Sequence, residues 1–447
     1  MSGYIDKITS EINRIKDFQI CGEVTSIKGL LIECAGINQA LSIGAKCRIV
    51  ARAEGDGQGR VVAAEVIGFK DKVAMLMPFG EVEGIGVGCK IFLEDTESAI
   101  NPDPSWKGRV INAFAEPIDD KGPIFKGREA YRMRHAPPPA HKRRPVKGKI
   151  DLGVRSINTF VTCCRGQRLG IFSGSGVGKS VMLSMMARYS EADVKVIGLI
   201  GERGREVHEF IHEYLGEEGL ANSVIIVATS DESPLMRKQA AYATLAVAEF
   251  FRDQGQDVLC MIDSITRFAM AQREIGLSAG EPPASKGYTP TVFSELPKLL
   301  ERAGPGVGEG TITGLFSVLV EGDDHNEPIA DAVRGILDGH IVLDRSIAER
   351  GRFPAVNVLR SISRTMPKCN QPEENKLVER ARSLLSTYDN MAEMIRLGAY
   401  KRGSSKEVDE AILYYPPLED FLRQNIDERT DLPTGYQMLE KILAGKP

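Results

Sequence analysis

Residues 168–186 read RLGIFSGSGVGKSVMLSMM, a short apolar run that enters a glycine-rich turn and leaves it as a helix-prone segment. Strand, turn and helix in this order bring the backbone N–H groups of the turn and the helix N-terminus to one point, which makes a cradle for phosphate oxygens. Gly174, Gly176 and Gly178 let the backbone approach, Lys179 reaches the β- and γ-phosphates, and the Ser180 hydroxyl can ligate Mg²⁺. Ser175, Val177 and Val181 complete the wrapping segment. One position departs from the usual GxxxxGK(S/T) string: Ser173 stands where the first glycine is expected.

The runs that follow, VKVIGLI, SVIIVAT, DVLCMID and TITGLFSVLV, alternate with helical segments and end near polar or glycine residues. That alternation is the pattern of an α/β fold with a parallel sheet, here a P-loop NTPase core. A second acidic element must hold the metal through its water shell from the end of an apolar strand, and DVLCMIDSITRF supplies it at Asp263. Hydrolysis also needs a carboxylate near the attacking water, and GERGREV, directly after VKVIGLI, offers Glu202 and Glu206.

At 447 residues the chain exceeds one ordinary core, so several domains are expected. In residues 1–18, Ile5, Ile8, Ile12 and Ile15 recur at spacings of three and four among charged residues, which predicts an amphipathic helix suited to its own domain or to a docking partner. From 19 to 94 the runs QICGEVTSI, LLIEC, CRIVARA, RVVAAEVIGF and KVAMLMPF predict a small N-terminal β-barrel. This segment lacks the interleaved aromatic and basic residues of a nucleic-acid surface, and a formal charge of −4 gives no global pull toward nucleic acid, so none is expected as a partner. The ATP-binding domain is assigned to 95–366, entered through an irregular Pro/Gly-rich stretch with a basic run at 142–149, and a helical C-terminal domain to 367–447. Eight scattered cysteines without a CxxC pair read as reduced thiols, and no long uncharged apolar run or signal peptide is present, so a soluble cytoplasmic chain is expected.

Five strings, GIFSGSGVGKS, GERGREV, DESPLMRKQAAY, DVLCMIDSITRFA and PAVNVLRSIS, occur in the order found in the catalytic subunits of rotary F-type and V-type ATP synthases, which the chain resembles from about 95 to 365. Two further strings, MAQREIGLSAGEPPASKGYTPTVFSELPKLLERAG and LGAYKRGSSKEVDEAI, resemble the type III protein export ATPases, and the flagellar branch is the preferred reading. The resemblance implies ATP as the nucleotide with Mg²⁺, and Glu202 as the carboxylate that polarises water, supported by Glu206. It also implies that Arg203 and Arg237 bind the phosphate region, that Phe353 packs on adenine, and that Arg364 is an arginine finger for the neighbouring subunit.

A self-assembling homohexamer is implied, at the cytoplasmic face of the membrane-embedded export apparatus. Its expected partners are a stalk-like regulator bound through the N-terminal helix, export chaperones with their cargo, and export-gate membrane proteins. A virulence export ATPase and a catalytic subunit of a rotary ATP synthase are the alternatives. The second lacks support in AYKRGSSKEVDE, which has no adenine-side phenylalanine pair, and a non-catalytic ring subunit would tend to carry glutamine in place of Glu202.

Overall fold

The computed structural model describes residues 20–445 apart from 53–58, 72, 96–97, 321, 323 and 325–326, so the helix expected over 1–18 lies outside the described residues. Two compact units make up the chain. The first runs to Ala99 and takes in Ser233–Met236 and Glu274–Pro282; the second holds Ile100–Glu232, Arg237–Arg273 and Pro283–Pro447.

The first unit is a closed antiparallel barrel of β1 (Cys21–Lys28), β2 (Leu31–Ala35), β3 (Lys46–Val50), β4 (Val61–Lys70), β5 (Val73–Pro78) and β6 (Lys90–Asp95), in the order β1-β2-β5-β4-β3-β6. Side chains on a strand alternate between faces, and in β3 the burial alternates with them, turning Cys47 and Ile49 inward to meet Val24, Ile32, Val66, Leu76 and Ile91. Burying each such aliphatic side chain stabilises the barrel by roughly 1.5–3 kcal/mol. Five of the strands are the five runs visible in the sequence. The sixth, KIFLED, is not among them, yet it closes the barrel by pairing with both β1 and β3.

The second unit is built on a nine-stranded sheet. Eight of its strands follow one path: β7 (Arg109–Asn112), β8 (Arg168–Ser173), β9 (Val194–Glu202), β10 (Ser223–Thr229), β11 (Asp257–Asp263), β12 (Thr311–Leu319), β13 (Gly339–Leu343) and β14 (Ile362–Ser363). Their spatial order is β14-β13-β8-β12-β11-β9-β10-β7, with every neighbouring pair parallel except β13–β14. Parallel strands covered on both faces need apolar residues at successive positions, which is why β9 is buried along nearly its whole length and why these runs are so legible.

Among the described residues, the helices of nine residues or more are α1 (Lys179–Tyr189), α2 (Pro234–Asp253), α3 (Ile265–Ser278), α4 (Pro290–Leu300), α5 (Pro328–Ile336), α6 (Pro372–Arg396), α7 (Lys406–Leu422) and α8 (Leu432–Ala444). The C-terminal helices α6, α7 and α8 pack on one another, and α7 and α8 also pack on a short helix at Arg155–Phe160. Their buried Leu385, Leu418, Phe421 and Leu439 belong to the same apolar cluster as Ile171 of β8 and Leu183 of α1. Buried Arg155 adds polar ties, donating to the carbonyls of Phe421 at 2.7 Å and Arg423 at 2.5 Å and pairing with Glu428 at 2.7 Å.

A second buried network holds the irregular stretch before the sheet. Arg302 meets the Glu249 carboxylate at 2.6 and 2.9 Å, His135 meets it at 2.8 Å, and Arg302 also donates to the Met133 carbonyl at 2.5 Å. Burial alone would raise the Glu249 pKa, but Arg302 and His135 outweigh it and hold the carboxyl down at about 2. All eight cysteines are free thiols; six are buried, Cys369 is half-buried and Cys21 is exposed.

Candidate functional site

The glycine-rich turn lies where β8 ends and α1 begins. Val177 is buried in the core and pins the middle of the turn, while Ser175 and Gly176 stand exposed and Gly174 is buried behind them. Gly178 caps α1 with φ +83°, a left-handed conformation that costs an ordinary residue roughly 1–2 kcal/mol. A Cβ at this position would also lie only 3.2 Å from the Phe353 ring, so the aromatic ring rests directly against the turn. Ser173 needs no glycine: it stays in the β8 ladder, paired with Leu319 and Leu343, and is not among the residues with positive φ. Ser180 and Val181 follow, half-buried, in the first helical turn, whose N–H groups have no intrahelical acceptors.

Sheet register gathers the charged residues at the same end. Leu199 of β9 pairs with Asp263 of β11, so Glu202 projects beyond Asp263 on the adjacent strand. Lys179 reaches both: its Nζ bonds Asp263 Oδ1 and lies 3.5 Å from Glu202 Oε1. Burial disfavours the lysine charge, but the two carboxylates outweigh that cost and keep its pKa above the ordinary lysine value. Asp263 also accepts a 2.5 Å hydrogen bond from the Ser317 hydroxyl on β12. Ser317 is not among the residues picked from the sequence; its signal is a serine set among the apolar residues GLFSVLV.

Glu202 is the electrostatically unusual member. Burial, then the negative charge of Asp263, push its pKa up, Lys179 opposes them, and Glu206 adds to the rise, leaving it at about 7. Its Oε1 is buried, with the Lys179 ammonium 3.5 Å away. An acid of this kind changes charge near neutrality, where a general base is most effective. Glu206, at the start of the short helix Gly204–Glu209, is partly exposed and lies 3.5 Å from Arg203, whose side chain is 81% exposed.

The donors here, the Ser180 hydroxyl and the Asp263 and Glu202 carboxylates, are all oxygens, a set whose chemistry fits a hard cation such as Mg²⁺. Among the described residues no group of three or more His, Cys, Asp or Glu side chains forms a metal cage. Mg²⁺ is ordinarily held by one or two carboxylates together with substrate phosphates, so none is required.

Not every expected residue joins this cluster. Arg237 donates from Nε to the Glu232 carbonyl at 3.2 Å, and Arg203 points into solvent. Arg364 stands at the opposite end of the sheet. Its N–H donates to the Asp338 carbonyl, and the Asp338 N–H donates to Arg168, the first residue of β8, whereas the phosphate turn follows the last. Five strand steps at about 3.3 Å each put roughly 17 Å between those levels, farther than one arginine spans. The Arg364 side chain is exposed, and its Nη2 makes a 3.4 Å contact with the Arg334 carbonyl.

Residues 18–92 match the ATP synthase alpha/beta family, beta-barrel domain, and residues 153–363 its nucleotide-binding domain. Residues 370–441 match the T3SS EscN ATPase C-terminal domain. The flagellum-specific ATP synthase of Caulobacter vibrioides is 58% identical over 442 residues, 98% of this chain and 98% of that protein. That of Bacillus subtilis is 52% identical over 421 residues, 94% of each chain. The solved structure of the assembled ATPase EscN in complex with its central stalk EscO, from the enteropathogenic E. coli type III secretion system, aligns with a TM-score of 0.85 at 37% identity. That alignment covers 94% of this chain and 100% of EscN.

Proposed function

We propose a mechanism from the premise that the chain belongs to the ATP synthase alpha/beta family and, within it, to the flagellar type III protein export ATPases. It is an ATPase that energises flagellar protein export. The observation that carries the residue assignments is the Lys179 ammonium held between Asp263 and Glu202 at the mouth of the phosphate turn.

In this reading the unpartnered N–H groups of Gly174–Val181 and the positive end of α1 face the triphosphate, and Lys179 supplies a point charge to its β/γ oxygens. Phosphate oxygens compete with Asp263 and Glu202 for that ammonium, which frees Glu202 to turn toward water. The ionised Glu202 orients and accepts a proton from the water that attacks the γ-phosphorus, and Glu206 tunes its basicity. Ser180 and Asp263 would hold Mg²⁺, which would supply positive charge against the developing charge on the triphosphate. Phe353 stacks on the adenine, with its exposed half available for the base. Arg203 and Arg237, which stand outside the cluster here, turn in to assist at the phosphates when the triphosphate is bound.

Arg364 acts on a neighbouring copy. Its place at the far end of its own sheet supports this, because the residue is exposed yet cannot reach its own turn. The active unit is therefore a homohexameric ring, as an assembled relative with a central stalk also suggests. Residues 1–18 dock a stalk-like regulator, while chaperones, cargo and the export gate meet the ring at the cytoplasmic face of the membrane. No helix among the described residues is long and apolar enough to cross a membrane.

Glu202→Gln tests the assignment: the variant should bind ATP and lose turnover, and a fully active variant would refute Glu202 as the base.

A further inference from the structure

The geometry points to Glu419 of α7 as a positioning residue for the nucleotide base, acting through Arg352 on the Phe353 ring. The inference rests on the reading of Phe353 as the ring that meets adenine, and it adds what fixes that ring in place.

Phe353 lies between two residues that α7 and the chain just beyond it hold. On one side is Arg352, only 4% exposed, whose guanidinium folds back on its own loop and donates to the carbonyls of Pro354 at 3.3 Å and Val356 at 3.1 Å. Its Nε forms a 3.0 Å ion pair with Glu419. The guanidinium thereby gathers the turn carrying Phe353 into one piece, which backbone bonds tie to the Ile347 carbonyl and the Asp344 N–H and which charge ties to Glu419.

On the other side the Phe353 carbonyl accepts from the N–H of Gln424 at 2.9 Å. The Gln424 side chain is itself fastened: its Nε2 donates to the Gly153 carbonyl at 2.8 Å, and its Oε1 accepts the Arg155 N–H at 2.7 Å. Residues 419–424 thus hold the loop on both sides of Phe353, beside its backbone bonds to residues 344–347.

Packing is incomplete beside the ion pair, although Val356 shares an apolar cluster with Leu418 and Leu422 of α7. A cavity of about 60 Å³ lies beside the ion pair, lined by Ile347, Arg350, Arg352, Tyr415, Glu419 and Leu422. The loop is not fully packed against α7 there, and the Arg352–Glu419 charge contact bridges the gap. Neutralising Glu419 leaves Arg352 buried without its carboxylate, and the guanidinium then has reason to move toward water and take Phe353 with it. The Phe353 ring borders Gly178, so a displacement changes the slot open to the base while leaving Lys179, Asp263 and Glu202 on their own strands and helix.

The test compares a ligand with a base and one without. Full-length protein is assayed for the KM and kcat of ATP hydrolysis and for competitive inhibition by inorganic tripolyphosphate. Glu419→Gln should raise KM for ATP about tenfold, the scale of losing one aromatic contact, with kcat little changed and the tripolyphosphate inhibition constant within about twofold of wild type. Glu419→Asp, which keeps the charge on a shorter stem, should recover most of the affinity. In a Phe353→Ala background Glu419→Gln should add nothing further.

An unchanged KM in Glu419→Gln while Phe353→Ala raises it would overturn the inference and spare the role of Phe353. Parallel weakening of ATP and tripolyphosphate would also overturn it, since the phosphate site would then be what had loosened. No effect of Phe353→Ala would instead remove the underlying reading of the ring.

Discussion

The elevated pKa of Glu202 makes its role visible in a pH profile. With the carboxyl titrating at about 7, roughly one molecule in eleven is ionised at pH 6 and ten in eleven at pH 8. If the ionised form is the base, kcat/KM for ATP should rise about tenfold across that window and level off above it. The direction follows from the causes: burial and Asp263 favour the protonated form, and Glu206 adds to them. Glu206→Gln removes a group that raises the pKa, so the midpoint should move to lower pH while the plateau survives. The same shift carries a stability signature. Because the folded-state value lies above that of an exposed glutamate, this group's stabilising increment is present below the ordinary glutamate range and is lost as pH rises through about 7. Activity therefore appears over the window in which that increment disappears. Steady-state rates at subsaturating ATP, in buffers of constant ionic strength, provide the assay. A flat profile between pH 6 and 8, or a midpoint that rises in Glu206→Gln, would refute the reasoning.

Lys179→Ala should abolish hydrolysis and strongly weaken ATP binding, as measured with a fluorescent ATP analogue, because two buried carboxylates lose the cation between them. Arg302→Met should lower folding stability by about 3–5 kcal/mol, the cost of taking the buried Glu249 charge's main cation away and leaving only His135, and a denaturant midpoint unchanged from wild type would contradict the network's importance.

Much of this arrangement is legible in the sequence because the sheet is parallel and covered on both faces. Strands β8, β9 and β11 are continuous apolar runs, and polar chemistry begins where each one stops, at Ser173, Glu202 and Asp263. Relations across the sheet are not legible in the same way. That Ser317 reaches Asp263 depends on the register of β12 against β11, and that Arg364 lies a strand length from the turn depends on β14 returning antiparallel along β13. Neither register has a local signal. KIFLED escapes notice in the barrel because its charged ends leave too short an apolar core to stand out, although tertiary pairing on both edges makes it the closing strand. Glu419 and Gln424 look like ordinary polar residues at a helix end; their partners Arg352 and Gly153 lie far away in sequence, and only packing of α7 on the sheet unit brings them together.

The central claim, that each hydrolytic site is completed by Arg364 from a neighbouring copy, is tested most directly by mixing two inactive variants. Arg364→Ala should bind ATP nearly as well as wild type yet lose turnover by about 10³-fold or more, the scale of an arginine finger. Lys179→Ala keeps its finger but cannot bind the triphosphate productively. Co-assembled, an intact turn on one copy can meet an intact finger on the next, so ATPase activity should return to a substantial fraction of wild type and peak near equal proportions. Mixed rings, verified by copurification of differently tagged variants, that stay inactive at every ratio would contradict the shared site, as would wild-type turnover by Arg364→Ala alone.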